Sequence, residues 1–468
     1  MSAVVPEEVG HWFTNLYPEG VELTARPSLT GAREADVCIV GGGFTGLWTA
    51  YALRKADPSL DVVVLEARVA GYGASGRNGG AVVGMFQGSR EHWTKRAGRD
   101  AAIAMERAVQ DAIDRIGKTV DEEGIDCSFS KNGVLMVARS ELELARLREQ
   151  VEDDRAWGFG PEDCEIIGPD DVTSRIKVAG PLGARFSRHC ASVDPGALVR
   201  GLADAVERAG VTIYEGTRVT RIEPGQAVTQ LGTVRAKTVV RATEAYTESI
   251  ENRRRLLVPV RTSMLVTERL DERTWESIGW GNREALLAEH PFLHLQHTAD
   301  HRITIGGDDN RVPYVSGSRP SAGSTSARVE KMYRKELVKL FPSLADVRIE
   351  RTWQGVFGAT RNWTPSVGVD RNTGLAWAGG YVGEGVAASN LAGRTLADLI
   401  LQRETDLTRL PFVGEPLGRW EPEPLRTIGA NAIWSLRTVG ERLESRTGRA
   451  NPIMDLANRI AGWRGRLG

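Results

Sequence analysis

Three glycines, Gly41, Gly43 and Gly46, stand in G-x-G-x-x-G spacing, and an acid, Glu66, follows about 20 residues beyond the last of them. Each suits one task in holding a dinucleotide. Gly41 permits a sharp turn, Gly43 a close approach of backbone to a pyrophosphate, and Gly46 tight packing of a helix on a strand. Free N–H groups at Phe44, Thr45 and Gly46, with the dipole of a helix starting there, favour an anion by ~0.3–2 kcal/mol. A carboxylate at Glu66 accepts hydrogen bonds from a ribose and argues against a 2′-phosphate.

A glycine triplet alone marks only a tight turn, so the elements around it decide. Residues 36–40 form an apolar run suited to a strand buried on both faces, "LWTAYALRKA" is apolar at helical spacing, and "DVVVLEA" is a second buried strand that ends on Glu66, with Ala67 and Arg68 following as further cofactor candidates. Next comes "ARVAGYGASGRNGGAVVG", dense in glycine, with Arg77 and Asn78 among residues that let backbone lie close to a ligand. A nicotinamide dehydrogenase has no common need of such a loop. A flavoenzyme has, because the pyrophosphate and ring of FAD run along it.

Here the chain resembles the D-amino-acid-oxidase-like superfamily of FAD-dependent oxidoreductases, and within it the glycine, sarcosine and gamma-glutamylputrescine oxidase group. The residues that carry the resemblance are "ASGRNGG" (Ser75, Gly76, Arg77, Asn78, Gly79, Gly80), the "HWF" arm and the late block "GLAWAGGYVGEGVAASNLAGRTLADLI". The resemblance implies non-covalent FAD, with Gly380, Gly383, Glu384, Gly385 and Val386 beside the flavin, Val219 at the adenine, and Ala242 and Thr243 in a turn near the cofactor. It departs from the family's usual residues at Glu244 and Glu384. The fold implied is α/β and α+β: a Rossmann-type FAD-binding domain (34–86, 190–262 and 350–405) interleaved with a substrate domain on a mixed or antiparallel sheet (87–189 and 263–349). Residues 1–33 form an N-terminal arm and 406–468 a partly helical extension.

The implied activity is oxidation of a C–N bond in an amine or amino acid, by hydride transfer to flavin N5, hydrolysis of the imine, and reoxidation by O2 or a protein acceptor. A single dinucleotide fingerprint leaves no place for a second nucleotide. Two rivals remain. An NAD(P)H-dependent hydroxylase is disfavoured because "GGDDNRVPY" lacks the continuation such enzymes carry; a non-catalytic flavin protein would use the arginine-rich tail to hold a partner.

Pocket candidates follow from residue chemistry. Glu384 can attract a cationic amine or merely favour the first turn of a helix. Arg361 and Arg302 suit a substrate carboxylate. Trp353, Trp363 and Tyr381 line an apolar site or simply pack. His290, His294, His297 and His301 have metal-like helical spacing, but "FLHLQH" alternates as a strand, so His294 and His297 face apart and no metal is expected. His294 remains a cavity candidate.

Composition excludes other classes. With 41% hydrophobic residues, 26% charged and a formal net charge of -1, the chain has no global attraction for nucleic acid or anionic membrane. The four cysteines form no C-x-x-C pair, and neither a secretory signal nor a spanning segment is visible, so a cytoplasmic protein is expected. "HPFLHLQHTADHRITIGG" reads as a hairpin, residues 141–158 as a charged amphipathic helix, residues 316–327 as a surface loop, and the chain beyond 426 as helical.

Overall fold

The computed structural model describes residues 4–251, 253–288, 292–307 and 325–461. Two eight-stranded sheets organise it. In the first, the buried strands Arg33–Val40 and Val62–Leu65 lie side by side and parallel, as their apolar runs require. Thr233–Arg241 and Leu375–Gly379 continue the parallel sheet on one side and Thr212–Tyr214 on the other. Pleat alternation divides the side chains. Val37, Ile39, Val62 and Val64 enter a large core with the helices Phe44–Ala56, Pro195–Arg208 and Gly385–Ile400. Cys38, Val40, Val63 and Leu65 enter a smaller one beneath the hairpin of Val219–Glu223 and Gln226–Thr229.

The second sheet runs in the order Ile349–Ala359, Val258–Thr267, Ile303–Gly307, Leu293–His297, Ala285–Ala288, Val134–Ala138, Gly183–Ser187 and Cys164–Ile167. It is mixed: Ala285–Ala288 runs parallel to Val134–Ala138, the other pairs antiparallel. The helix Ala327–Leu340 covers one face with Val329, Tyr333 and Leu337. The hairpin read from "FLHLQHTADHRITIGG" is present, with Leu293 opposite Gly307. So is the charged helix, Glu141–Ala156, started by a capping box of Ser140 and Glu143.

One boundary differs from expectation. The expected cofactor-domain segments 190–262 and 350–405 include residues 258–262 and 350–359, yet Ile349–Ala359 pairs along its length with Val258–Thr267 in the second sheet. The reason is pairing at long sequence separation, which leaves no trace in local periodicity. The 316–327 loop lies outside the described residues up to 324, as do His290 and Pro291. The arm and the tail are docked. Trp12 and Phe13 of the helix His11–Leu16 are buried, and beyond residues 410–424, which turn at 411–414 and then run without regular structure, stand the helices Leu425–Thr447 and Pro452–Ala461. No helix among the described residues is long and apolar enough to cross a membrane.

Candidate active site

The glycine turn links the end of Arg33–Val40 to the helix Phe44–Ala56. Gly41 has φ +114°, and a Cβ there would stand 2.4 Å from the carbonyl oxygen of Ala242; one on Gly46 would stand 2.0 Å from that of Gly41. Ala242 N–H donates to the Val40 carbonyl at 2.9 Å, which brings the Ala242–Thr243 turn against the fingerprint. At the helix start, Phe44 N–H donates to Ser75 Oγ at 2.9 Å, so the "ASGRNGG" loop lies directly over the anion-binding end. Glu66 accepts from Gly42 N–H at 2.8 Å and Arg68 N–H at 2.9 Å; burial pushes its carboxyl up, and those backbone donors oppose the shift.

Glycine turns rarely stand alone, and this one is buttressed. Asn78 closes its own loop, accepting from Gly80 N–H and donating to the Ser75 carbonyl. Trp12 Nε1 donates to the Asn78 carbonyl and Trp353 Nε1 to the Arg77 carbonyl, both at 2.8 Å. The Arg77 side chain points inward, donating to the Tyr72 and Gln354 carbonyls, and burial lowers its pKa. Arg77 therefore holds the loop in place through its own framework contacts.

The late turn meets the same place. Tyr381 Oη lies 3.2 Å from Thr45 Oγ1 in the first turn of the fingerprint helix. Glu244, at φ +40°, accepts from Gly380 N–H at 3.0 Å and Tyr381 N–H at 3.1 Å through Oε1. Its other oxygen, Oε2, has no hydrogen-bond partner and occupies the space a Gly358 side chain would take. Burial raises Glu244 to about 7, with Gly380, Tyr381 and Arg241 pulling the other way; Arg241 is in turn lowered to about 10 by burial. Gly383 and Gly385 lead into the helix Gly385–Ile400, in which Val386 is buried. Thus 41–46, 75–80, 242–244 and 380–386 converge. Val219 is buried at the start of its strand, beside a groove of about 1520 Å³ lined by Arg68, Gly216, Arg218 and Tyr246.

Above the glycine loop lies one face of the second sheet. Cross-strand register puts Val260 with Phe357, Thr262 with Gly355 and Met264 with Trp353. His294 shares this face. Its ring is 2.6 Å from where a Cβ would stand on either Gly79 or Gly306, so both glycines make room for it, and burial lowers it to about 4. His297 points away, stacked on Trp275 with ring centroids 3.7 Å apart.

A matching family model accompanies this convergence. Residues 36–399 match the model described as "DAO: FAD dependent oxidoreductase". The chain belongs to this FAD-dependent oxidoreductase family. It is 33% identical over 411 residues to gamma-glutamylputrescine oxidoreductase of Escherichia coli (strain K12), covering 86% of this chain and 92% of that one. It is 26% identical to glycine oxidase of Bacillus licheniformis, covering 78% and 93%. Among solved structures, glycine oxidase from Geobacillus kaustophilus superposes with a TM-score of 0.69 at 22% identity, covering 83% of this chain and 100% of that one.

The residues present fit the family's FAD. The cradle at Gly41 and Gly46 has no room for a side chain, and Glu66 stands at the end of the second strand where a ribose would reach it.

The candidate arginines of this family member are occupied elsewhere. Arg302 pairs with Asp300 at 2.7 Å and Glu350 at 2.6 Å, and sits at the opposite end of its strand region from Gly306. Arg361 pairs with Glu421 at 3.0 Å and lies over the Trp420 ring. Because its guanidinium is committed to Glu421, Arg361→Ala should leave KM for a substrate within about twofold of wild type, checked by steady-state kinetics, and cost only ~0.2–1 kcal/mol of stability. Trp363 is half-buried in the loop after Ile349–Ala359, with φ +57°. Tyr381 is buried, its hydroxyl toward Thr45.

Sequence reasoning missed Met264, Thr262, Val260 and Phe357. The alternation in "VPVRTSMLVT" signals a strand, but nothing in it says which sheet or which face.

Proposed function

We propose that this protein oxidises the C–N bond of an amine or amino acid. Bound FAD supplies a two-electron acceptor for the hydride that leaves the carbon attached to nitrogen. The observation that carries the reading is the meeting of 41–46, 75–80, 242–244 and 380–386 beneath a sheet face made of Val260, Met264, Phe357, Thr262 and His294. Gly43 and Thr45 would hold the pyrophosphate end, with Ser75, already bonded to Phe44 N–H, beside them, and Glu66 the ribose. The second sheet's face would lie over the flavin and exclude water from the reacting carbon.

The product would be an imine, hydrolysed in water to a carbonyl compound and an amine or ammonia, with FAD supplying the route for two electrons to O2, which would give H2O2. Relatives named for gamma-glutamylputrescine and for glycine support nitrogen-bearing substrates. A panel of amines and amino acids tests it. At least one should bleach the bound flavin anaerobically and yield peroxide in air. Bleaching by NAD(P)H instead, with none by any amine, overturns the reading.

A further inference from the structure

We propose that the outward face of the helix Leu425–Thr447 docks this protein on the surface of an anionic lipid bilayer. The inference is independent of the amine-oxidation reading above.

A helix on a protein surface ordinarily turns its apolar residues inward and its charges outward. This one is inverted. Arg426, Arg437 and Glu444 are 6%, 5% and 4% exposed, and helical spacing sets them along one side with Ile433 and Gly440. Ion pairs pin that side at both ends. Arg426 meets Glu248 at 3.2 Å and Glu423 at 2.6 Å, and Arg146 of the helix Glu141–Ala156 grips Glu444 through both terminal nitrogens, at 3.0 and 3.1 Å. Between them Gly440 presses on the following helix, where a Cβ would stand 2.5 Å from Met454 Cγ.

The opposite side carries the apolar residues. Leu425, Ile428, Ala432, Ser435 and Val439 recur three and four residues apart and are all exposed, and Arg442 and Arg446 continue the same row. Leu425 is 61% exposed, Ile428 62% and Val439 44%. Rolling the helix to bury this row would break the pairs at Arg426 and Glu444, so the fold holds apolar surface in water against the hydrophobic effect.

The charge along the row selects what covers it. Arg442, Arg446 and, just beyond the helix, Arg449 are exposed and make no ion pair among the described residues. From residue 425 onward the sequence has eight arginines and no lysine against three acids, so the near-zero net charge of the whole chain conceals a basic tail on an acidic body. A second copy seated on the row would bring these free arginines against an equally basic tail. An apolar row that runs on into unpaired guanidinium groups, with no acid in it, instead matches a bilayer interface. There Leu425, Ile428 and Val439 enter beside the acyl chains and the arginines fork onto lipid phosphates.

Flotation of the full-length, FAD-loaded protein with vesicles tests this. Vesicles of about 30% phosphatidylglycerol in phosphatidylcholine should bind it at least about tenfold tighter than phosphatidylcholine alone, and about 0.5 M NaCl should release most of it. Arg442→Glu with Arg446→Glu should weaken the binding roughly 10- to 100-fold. The neutral pair Ile428→Ser with Val439→Ser should weaken it roughly tenfold. Lys118→Glu reverses a charge on an exposed side chain of the helix Arg99–Glu123 and should bind as wild type does. Every substituted side chain is exposed, so bound flavin and circular dichroism should stay unchanged throughout.

Equal binding to the two kinds of vesicle, or binding to neither, overturns the assignment of an anionic bilayer. Anionic-vesicle binding that both double variants retain overturns its placement on this helix. A dimer in light scattering that Ile428→Ser with Val439→Ser converts to a monomer, in a protein that binds no vesicle, gives the row to a second copy instead.

Discussion

Gly41→Val should purify colourless, with native-like far-ultraviolet circular dichroism. A β-branched residue at φ +114° carries backbone strain of about 1–3 kcal/mol, and its Cβ would stand 2.4 Å from the Ala242 carbonyl oxygen. Relief requires the Ala242–Thr243 turn to retreat from the anion-binding end, which weakens FAD by roughly 10- to 100-fold or more. Gly168→Ala is the control. Its added methyl meets nothing within 4 Å, so the protein should stay yellow. The measurement is flavin absorbance per protein after gel filtration, and full occupancy in Gly41→Val would refute the placement of the cofactor.

The other large effect is expected at Trp353→Ala. Trp353 is 1% exposed, meets Trp12 edge-on with centroids 6.4 Å apart, and donates to the Arg77 carbonyl. Truncation leaves a cavity beneath the loop and an unpaired buried carbonyl, which together cost about 3–5 kcal/mol. Trp353→Phe keeps most of the bulk and loses the hydrogen bond, for about 1 kcal/mol. Urea midpoints read both. A drop below 1 kcal/mol for the alanine variant would mean that the site collapses without a void.

The two regions differ in how openly the sequence declares them. The fingerprint was legible because its parts are local: an apolar run, three spaced glycines, helical periodicity, a second apolar run and an acid all fall within residues 36–66. The hairpin of Leu293–His297 and Ile303–Gly307 was legible for the same reason. Partnerships between distant segments were not. Ile349–Ala359 has the alternation of a strand but no mark of its pairing with Val258–Thr267. Arg77 sits in the motif most typical of a ligand loop, yet its guanidinium serves the loop's own framework, because buried carbonyls at Tyr72 and Gln354 need a donor. Glu384 shows the converse. Its type and position allowed a capping role, and only the structure shows that it makes no capping hydrogen bond.

The Glu244 clasp has a bearing on how the molecule is made. Its Oε1 grips a turn 136 residues downstream, while Ala242 seats against a glycine two hundred residues upstream. A nascent chain that has emerged as far as the first βαβ unit therefore owns an anion-binding end but no closed cradle. Capture of the vitamin by a closed cradle is therefore expected only after translation has delivered the segment around Tyr381.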